Sequence, residues 1–240
     1  MHGSKTFSSG MDGRPAWPAV HLLPLSRKKI MTRITIPARA AAPDGSLPLL
    51  DSVEKSLGSV PKLLRIDASA RTSRSLTRAL ADQFATHWRH HAELGSITRR
   101  DVGTNPPPIV TESWIAAAFA HDRTPEQEGL LSLSDALIAE IADADVIVIA
   151  TPMYNYGMPA ALKAWFDQVV RVDKTFTFDL ARGDAPLEPI YSGKMLVLLT
   201  SWGEFGFGPG EHNEGCDCLT PHVRTASRYL GVDEFNKDGI

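Results

Sequence analysis

Residues 142–171, ADADVIVIATPMYNYGMPAALKAWFDQVVR, leave this chain few ways to fold. Val146-Ile147-Val148-Ile149-Ala150 is a short unbroken apolar run, the pattern of a parallel strand buried on both faces. Length alone leaves a buried helix open, but the β-branched residues and Pro152 favour a strand. Met153-Tyr154-Asn155-Tyr156-Gly157-Met158 follows as a loop of aromatic, amide and small residues. Pro159 suits the first turn of a helix, where its missing N–H costs nothing. Beyond it Leu162, Trp165, Phe166, Val169 and Val170 share one face, with Lys163, Asp167 and Arg171 largely off it. The unit predicts strand, loop, helix. In an open α/β sheet the loop at the carboxyl end of such a strand is where small ligands bind.

Similar units flank it. Leu63 to Ala68 reads as a first strand that runs into Ser69-Ala70-Arg71-Thr72-Ser73-Arg74-Ser75. A helix to about Arg89 then carries Leu76, Leu80, Phe84 and Trp88 at spacings of four. Hydroxyls and two arginines between a strand and a helix N-terminus make a phosphate cradle, the donors facing the anion and the arginines neutralising it. The alternative is a plain N-cap with solvated arginines. Ser96 to Val102 alternates as a more polar edge strand, and Ser113 to His121 reads as a short helix. Thr124-Pro125-Glu126-Gln127 opens another helix, running to about Ala142 with Leu130, Leu133, Leu137, Ile138 and Ile141 inward. After an insertion, Val172 to Ser192, comes a second buried strand, Lys194 to Thr200, and a glycine- and aromatic-rich loop, Ser201 to Gly210. That loop reads as ligand wall, against a plain surface connection. A helix from about Cys218 to Leu230 precedes Gly231, and the chain ends on a final strand.

Composition narrows the classes further. The 240 residues have room for one α/β domain plus an appendage, and the net charge of −3 gives no global argument for nucleic acid or an anionic membrane. The charge is unevenly spread: nine Lys/Arg against four Asp/Glu in residues 1–62, sixteen against twenty-four in 63–240. No apolar stretch is long enough to span a bilayer, and Val20 to Leu25 is too short for a signal-peptide core. The two cysteines, Cys216 and Cys218, are a poor disulfide framework. These features predict a soluble cytoplasmic protein. Residues 1–62 are punctuated by Gly, Pro and Ser and read as an irregular extension, with Arg27-Lys28-Lys29 a solvated charge cluster rather than an anion-binding patch.

Strand order 2-1-3-4-5 would bring the loops at 69–75, 152–157 and 201–204 together at the switch point between the strands starting near 63 and 145. The chain lacks a G-x-G-x-x-G after its first strand and has no G-x-x-x-x-G-K-[ST]. A mononucleotide with one terminal phosphate fits better than a dinucleotide: phosphate at 69–75, a flat ring between the other loops. His212, Cys216, Cys218 and His222 could supply metal ligands, but the C-x-C spacing is wrong for a knuckle, so no metal is expected. The histidines read as surface or cap contacts and the cysteines as packing.

The motifs LLRIDASARTSRS, DVIVIATPMYNYGMPAALKAWFDQVVR and LLTSWGEFGFGPG resemble those of the FMN-dependent NADH-azoreductases and NAD(P)H quinone reductases. The resemblance covers most of 63–230 and implies a flavodoxin-like doubly wound parallel sheet. It implies that Ser69, Ser73, Arg74 and Ser75 bind the FMN phosphate. Met153, Tyr154, Asn155 and Tyr156 would line one side of the isoalloxazine, with Ser201, Trp202, Gly203 and Glu204 on another. Phe176 would lie against the substrate, and Phe178 is a second candidate there. Trp202 and Glu204 stand where the family usually carries Arg and a Gly or Asp. The family also continues past this C-terminus with a last strand and a covering helix. It forms homodimers with sites at the subunit interface, so Trp114 to His121 would serve the partner's site. Residues 31–62 resemble the N-terminal end of a carboxymuconolactone decarboxylase-like protein without its catalytic cysteines, which reads as a fused remnant lacking activity.

The expected activity is ping-pong electron transfer from NAD(P)H through FMN to a quinone or azo compound, with no protein acid or base. The alternative is a truncated fusion that binds FMN weakly and does not turn over.

Overall fold

A computed structural model describes residues 61–91 and 95–239. The extension expected over 1–62 lies, except for Pro61 and Lys62, outside the described residues.

The elements run β1 (Leu63–Asp67), α1 (Leu76–His91), β2 (Ile97–Asp101), α2 (Glu112–Phe119), α3 (Pro125–Asp143), β3 (Val146–Pro152) and α4 (Ala160–Val169). They continue with β4 (Phe176–Phe178), β5 (Leu187–Pro189), β6 (Lys194–Ser201), α5 (Leu219–Ser227) and β7 (Val232–Gly239). Five strands form one parallel sheet in the order β2-β1-β3-β6-β7, the expected doubly wound order. The chain reverses its direction of winding between β1 and β3. The final strand expected after Gly231 is present as β7, pairing with β6 from Val232 to Gly239.

The apolar run of β3 is buried throughout, and its alternation sorts side chains to two cores. Ile147 and Ile149 join Leu64, Ile66, Leu196 and Leu198 under α3, α4 and α5. Val146, Val148 and Ala150 join Leu63, Met195, Val197 and Leu199 against Phe84 and Trp88 of α1. A third, smaller cluster seats α2 on α3 through Trp114, Ala117, Ala118 and Leu131.

Helix starts follow the sequence signals. Thr124 caps α3: its hydroxyl accepts from Gln127 N–H while the Gln127 side chain accepts from Thr124 N–H, at 3.3 and 3.0 Å. The inward face of α3 differs by one residue from expectation. Leu131 is buried and Leu130 exposed, because the seat of α2 falls on the Leu131 side.

Arg171 is also corrected. It is buried rather than turned to solvent, because Ser134 and Asp135 accept from its guanidinium and compensate its desolvation. The expected packing of the cysteines is not found: Cys216 and Cys218 are both exposed. Among the described residues no helix is long and apolar enough to cross a membrane.

Leu198 is fully buried in the larger core at a strand centre, where collapse around a void is hindered on both sides. Leu198→Ala is expected to cost about 2–5 kcal/mol, read as a lowered urea midpoint at unchanged slope.

Candidate functional site

The carboxyl ends of β1, β3 and β6 lie side by side, with Asp67 opposite Ala150 and Pro152 opposite Ser201. The loops that leave them are therefore neighbours. Met153 N–H donates to Ser201 O at 2.8 Å, and Tyr156 accepts at its carbonyl from Cys218 N–H at 3.0 Å.

The first loop ends at the N-terminus of α1. Ser75 caps it, its hydroxyl accepting from Arg78 N–H at 3.3 Å and its carbonyl from Ala79 N–H at 3.2 Å. That geometry leaves the N–H groups of Leu76 and Thr77 without intrahelical acceptors. Ser69 is buried, and its hydroxyl accepts from Arg71 N–H at 3.3 Å. Thr72, Ser73, Arg71 and Arg74 are exposed, and neither arginine side chain has a partner among the described residues. Arg74 is held at φ 59°, in the left-handed region.

The second loop is a tight turn. Tyr154 and Gly157 exchange hydrogen bonds of 3.1 and 3.0 Å, with Asn155 at φ 49° and Tyr156 at φ 65° between them. Two successive left-handed residues without glycine are strained, and such strain collects at functional sites. Tyr154 and Tyr156 are exposed, while Met153 packs on the larger core.

In the third loop the Glu204 carboxylate accepts from Tyr156 Oη at 3.0 Å and from Asn213 Nδ2 at 3.3 Å. Glu204 pushes the Tyr156 hydroxyl up from its ordinary value, so it stays a donor. Gly203 is exposed and Ser201 half-buried. Trp202 is turned into its own loop: it meets Phe207 edge-on at 6.0 Å, lies under Lys237 Nζ at 4.9 Å, and packs on Gly239. Its backbone, rather than its indole, is what this residue offers a ligand.

The structure brings twelve of the fourteen anticipated residues to this pole and leaves Phe176 and Phe178 away from it. Both sit on β4, which pairs with β5 in a hairpin rooted at the opposite end of the sheet, where Ile190 N–H donates to Thr175 O. Phe176 packs on Tyr229 at 5.5 Å, and Phe178 is exposed.

Residues that the sequence reading missed lie beneath the first loop. Asp67 is fully buried and accepts from Arg65 at 2.9 and 3.0 Å and from Arg99 at 2.6 Å. Arg78 binds Asp101 through both terminal nitrogens, at 2.6 and 2.7 Å. The available signal was Arg78 at the head of the stripe Ala81, Ala85 and Trp88, a charge on a face that is otherwise buried. Among the described residues no group of His, Cys, Asp or Glu is arranged to hold a metal.

The donor set fits a flavin mononucleotide. Free helix amides, hydroxyls and unpaired arginines suit a phosphate, and a strained aromatic turn facing a glycine-containing loop suits a flat ring. The sequence matches the Flavodoxin_2 family, which has a flavodoxin-like fold, over residues 61–236. It is 54% identical over 182 residues to FMN-dependent NADH:quinone oxidoreductase 2 of Colwellia psychrerythraea, covering 72% of this chain and 83% of that one. The chain belongs to the FMN-dependent NAD(P)H:quinone oxidoreductase family.

Family likeness extends to FMN-dependent NAD(P)H:quinone oxidoreductase 1 of Pseudomonas aeruginosa, 44% identical over 178 residues, 72% of this chain and 83% of that one. Azoreductase from Bacillus anthracis superposes with a TM-score of 0.65 at 20% identity, over 75% of this chain and 86% of that one, and so shares the fold.

Within the site, the hydrogen bond from Arg78 holds the Asp101 carboxyl at about 2, below its ordinary 3.8. A carboxyl depressed on folding stabilises the fold above its unfolded value and loses that contribution as pH falls through the folded one. Asp101→Asn is expected to cost about 2 kcal/mol at neutral pH and to flatten the fall in stability between about pH 4 and pH 2, measured as urea midpoints across that range.

Proposed function

We propose that the protein transfers electrons from NAD(P)H to quinones, and to azo compounds, on an FMN held by the three carboxyl-end loops. The observation that carries this reading is the meeting of those loops at the switch point of the sheet, in a chain of this family.

Ser69, Ser75 and the amides of Leu76 and Thr77 hold the phosphate, with Ser73, Arg71 and Arg74 at the rim supplying positive charge. Met153, Tyr154, Asn155 and Tyr156 flank the ring on one side; Ser201, Gly203 and Glu204, with the backbone of Trp202, bound the other. When bound, FMN supplies the hydride-accepting and electron-donating chemistry. The protein orients the ring, and the Tyr156–Glu204 bond ties its two walls together. No side chain is assigned a proton-transfer role. Donor and acceptor take the same face in turn, which makes the kinetics ping-pong.

The active unit is a homodimer. Ile109, Ile115 and Phe119 are exposed on and beside α2, and Phe176 and Phe178 are rooted at the far pole of their own chain. A second copy supplies what one chain cannot: its hairpin aromatics and the segment Trp114 to His121 border the partner's site. The reducing cytoplasm, with its NAD(P)H, is the compartment assigned. Electron transfer belongs to the flavodoxin-like domain, residues 63–240; the extension over 1–62, a fused remnant, takes no part in it.

The purified protein is expected to retain about one FMN per chain after desalting and to oxidise NADH with menadione, giving parallel double-reciprocal lines. A protein that keeps no flavin, or oxidises no NAD(P)H once loaded, overturns this reading. Phe119→Asp is expected to shift sedimentation from dimer to monomer and to lower turnover at least roughly tenfold.

A further inference from the structure

Arg78 lies directly under the first loop and is only 7% exposed. Its Nε donates to Arg71 O at 2.8 Å and its Nη2 to Ser69 O at 2.7 Å. The same Nη2 reaches Asp101 Oδ1 at 2.7 Å, and Nη1 reaches Asp101 Oδ2 at 2.6 Å. Four of the five guanidinium N–H groups are thus committed. The fifth, on Nη1, faces the buried Asp67 carboxylate at 3.8 Å. Arg78 has no donor left for a ligand.

What it does instead follows from peptide geometry. In a trans peptide the C=O and the next N–H point in opposite directions. Drawing the carbonyls of Ser69 and Arg71 down onto Arg78 therefore turns the N–H groups of Ala70 and Thr72 up, toward the exposed surface of the loop. Gly103 closes the floor: a Cβ there would lie 2.1 Å from Ser69 O, so only glycine lets the loop settle this low. Asp101 and Asp67 offset the positive charge of Arg78, which leaves Arg71 and Arg74 as the cations that an anion meets.

We propose that Arg78 is the positioning residue of the phosphate loop, acting through two backbone carbonyls to aim the Ala70 and Thr72 amides at the phosphoryl group. Arg78 thereby sets the preference for a phosphorylated flavin over riboflavin. The proposal rests on the reading that this loop takes the FMN phosphate.

The test is the affinity of apo-protein for FMN and for riboflavin, by flavin fluorescence quenching, in the wild type, Arg78→Lys and Arg78→Met, with melting temperatures recorded alongside. The wild type should prefer FMN. Arg78→Met should lose FMN affinity by at least roughly tenfold with riboflavin affinity within about twofold, the size expected when one or two hydrogen bonds to an anion go. Arg78→Lys, which can still reach one carbonyl, should fall between. If both variants keep the wild-type ratio, whether both ligands bind as before or both weaken together, the positioning role is overturned and Arg78 is merely structural. A wild type that binds FMN and riboflavin equally would instead overturn the phosphate reading of the loop, and this proposal with it.

Discussion

A parallel strand buried on both faces has room for polar groups only at its ends. β3 and β6 obey this with apolar side chains over nearly their whole length, packed by helices above and below. Every hydroxyl, amide and charge that can meet a ligand is thereby pushed to the loops. The carboxyl ends are the favoured pole because each strand there leads toward a helix N-terminus or into a long connection, and both present unpaired amides.

β1 departs from this pattern. It carries Arg65 and Asp67 at buried positions, and burial of either alone would be expensive. The two compensate each other, and Arg99, Asp82, Arg78 and Asp101 extend the pairing to β2 and α1. Such a network is a doubtful source of net stability. Its use here is geometric: it locks two strand ends and one helix start into a fixed relation beneath the loop that spans them.

Much of the fold was legible in the sequence, because it rests on local signals. The run at 146–150, the capping box at Thr124–Gln127 and the glycine at 231 each carry their instruction within a few residues. What was not legible depends on the partner across the fold. Arg171 reads as solvated until Ser134 and Asp135 arrive from α3. Leu131 rather than Leu130 turns inward only because α2 docks there. In the site, the hydroxyl-rich loop and the aromatic turn could be named, but not the direction of Trp202, whose indole is claimed by Gly239 and Lys237 of the last strand. Nor could the root of the Phe176 hairpin be placed, since a two-stranded insertion carries no sign of which pole it returns to.

The outer strands of the sheet have a bearing on how copies of the chain meet. β2 shows Thr98 and Arg99 to solvent, and β7 shows Asp233, Glu234 and Lys237. Charged edges are poor templates for a further strand. Growth of the sheet from molecule to molecule, the route to fibrous aggregates, is thus disfavoured by the same residues that close it.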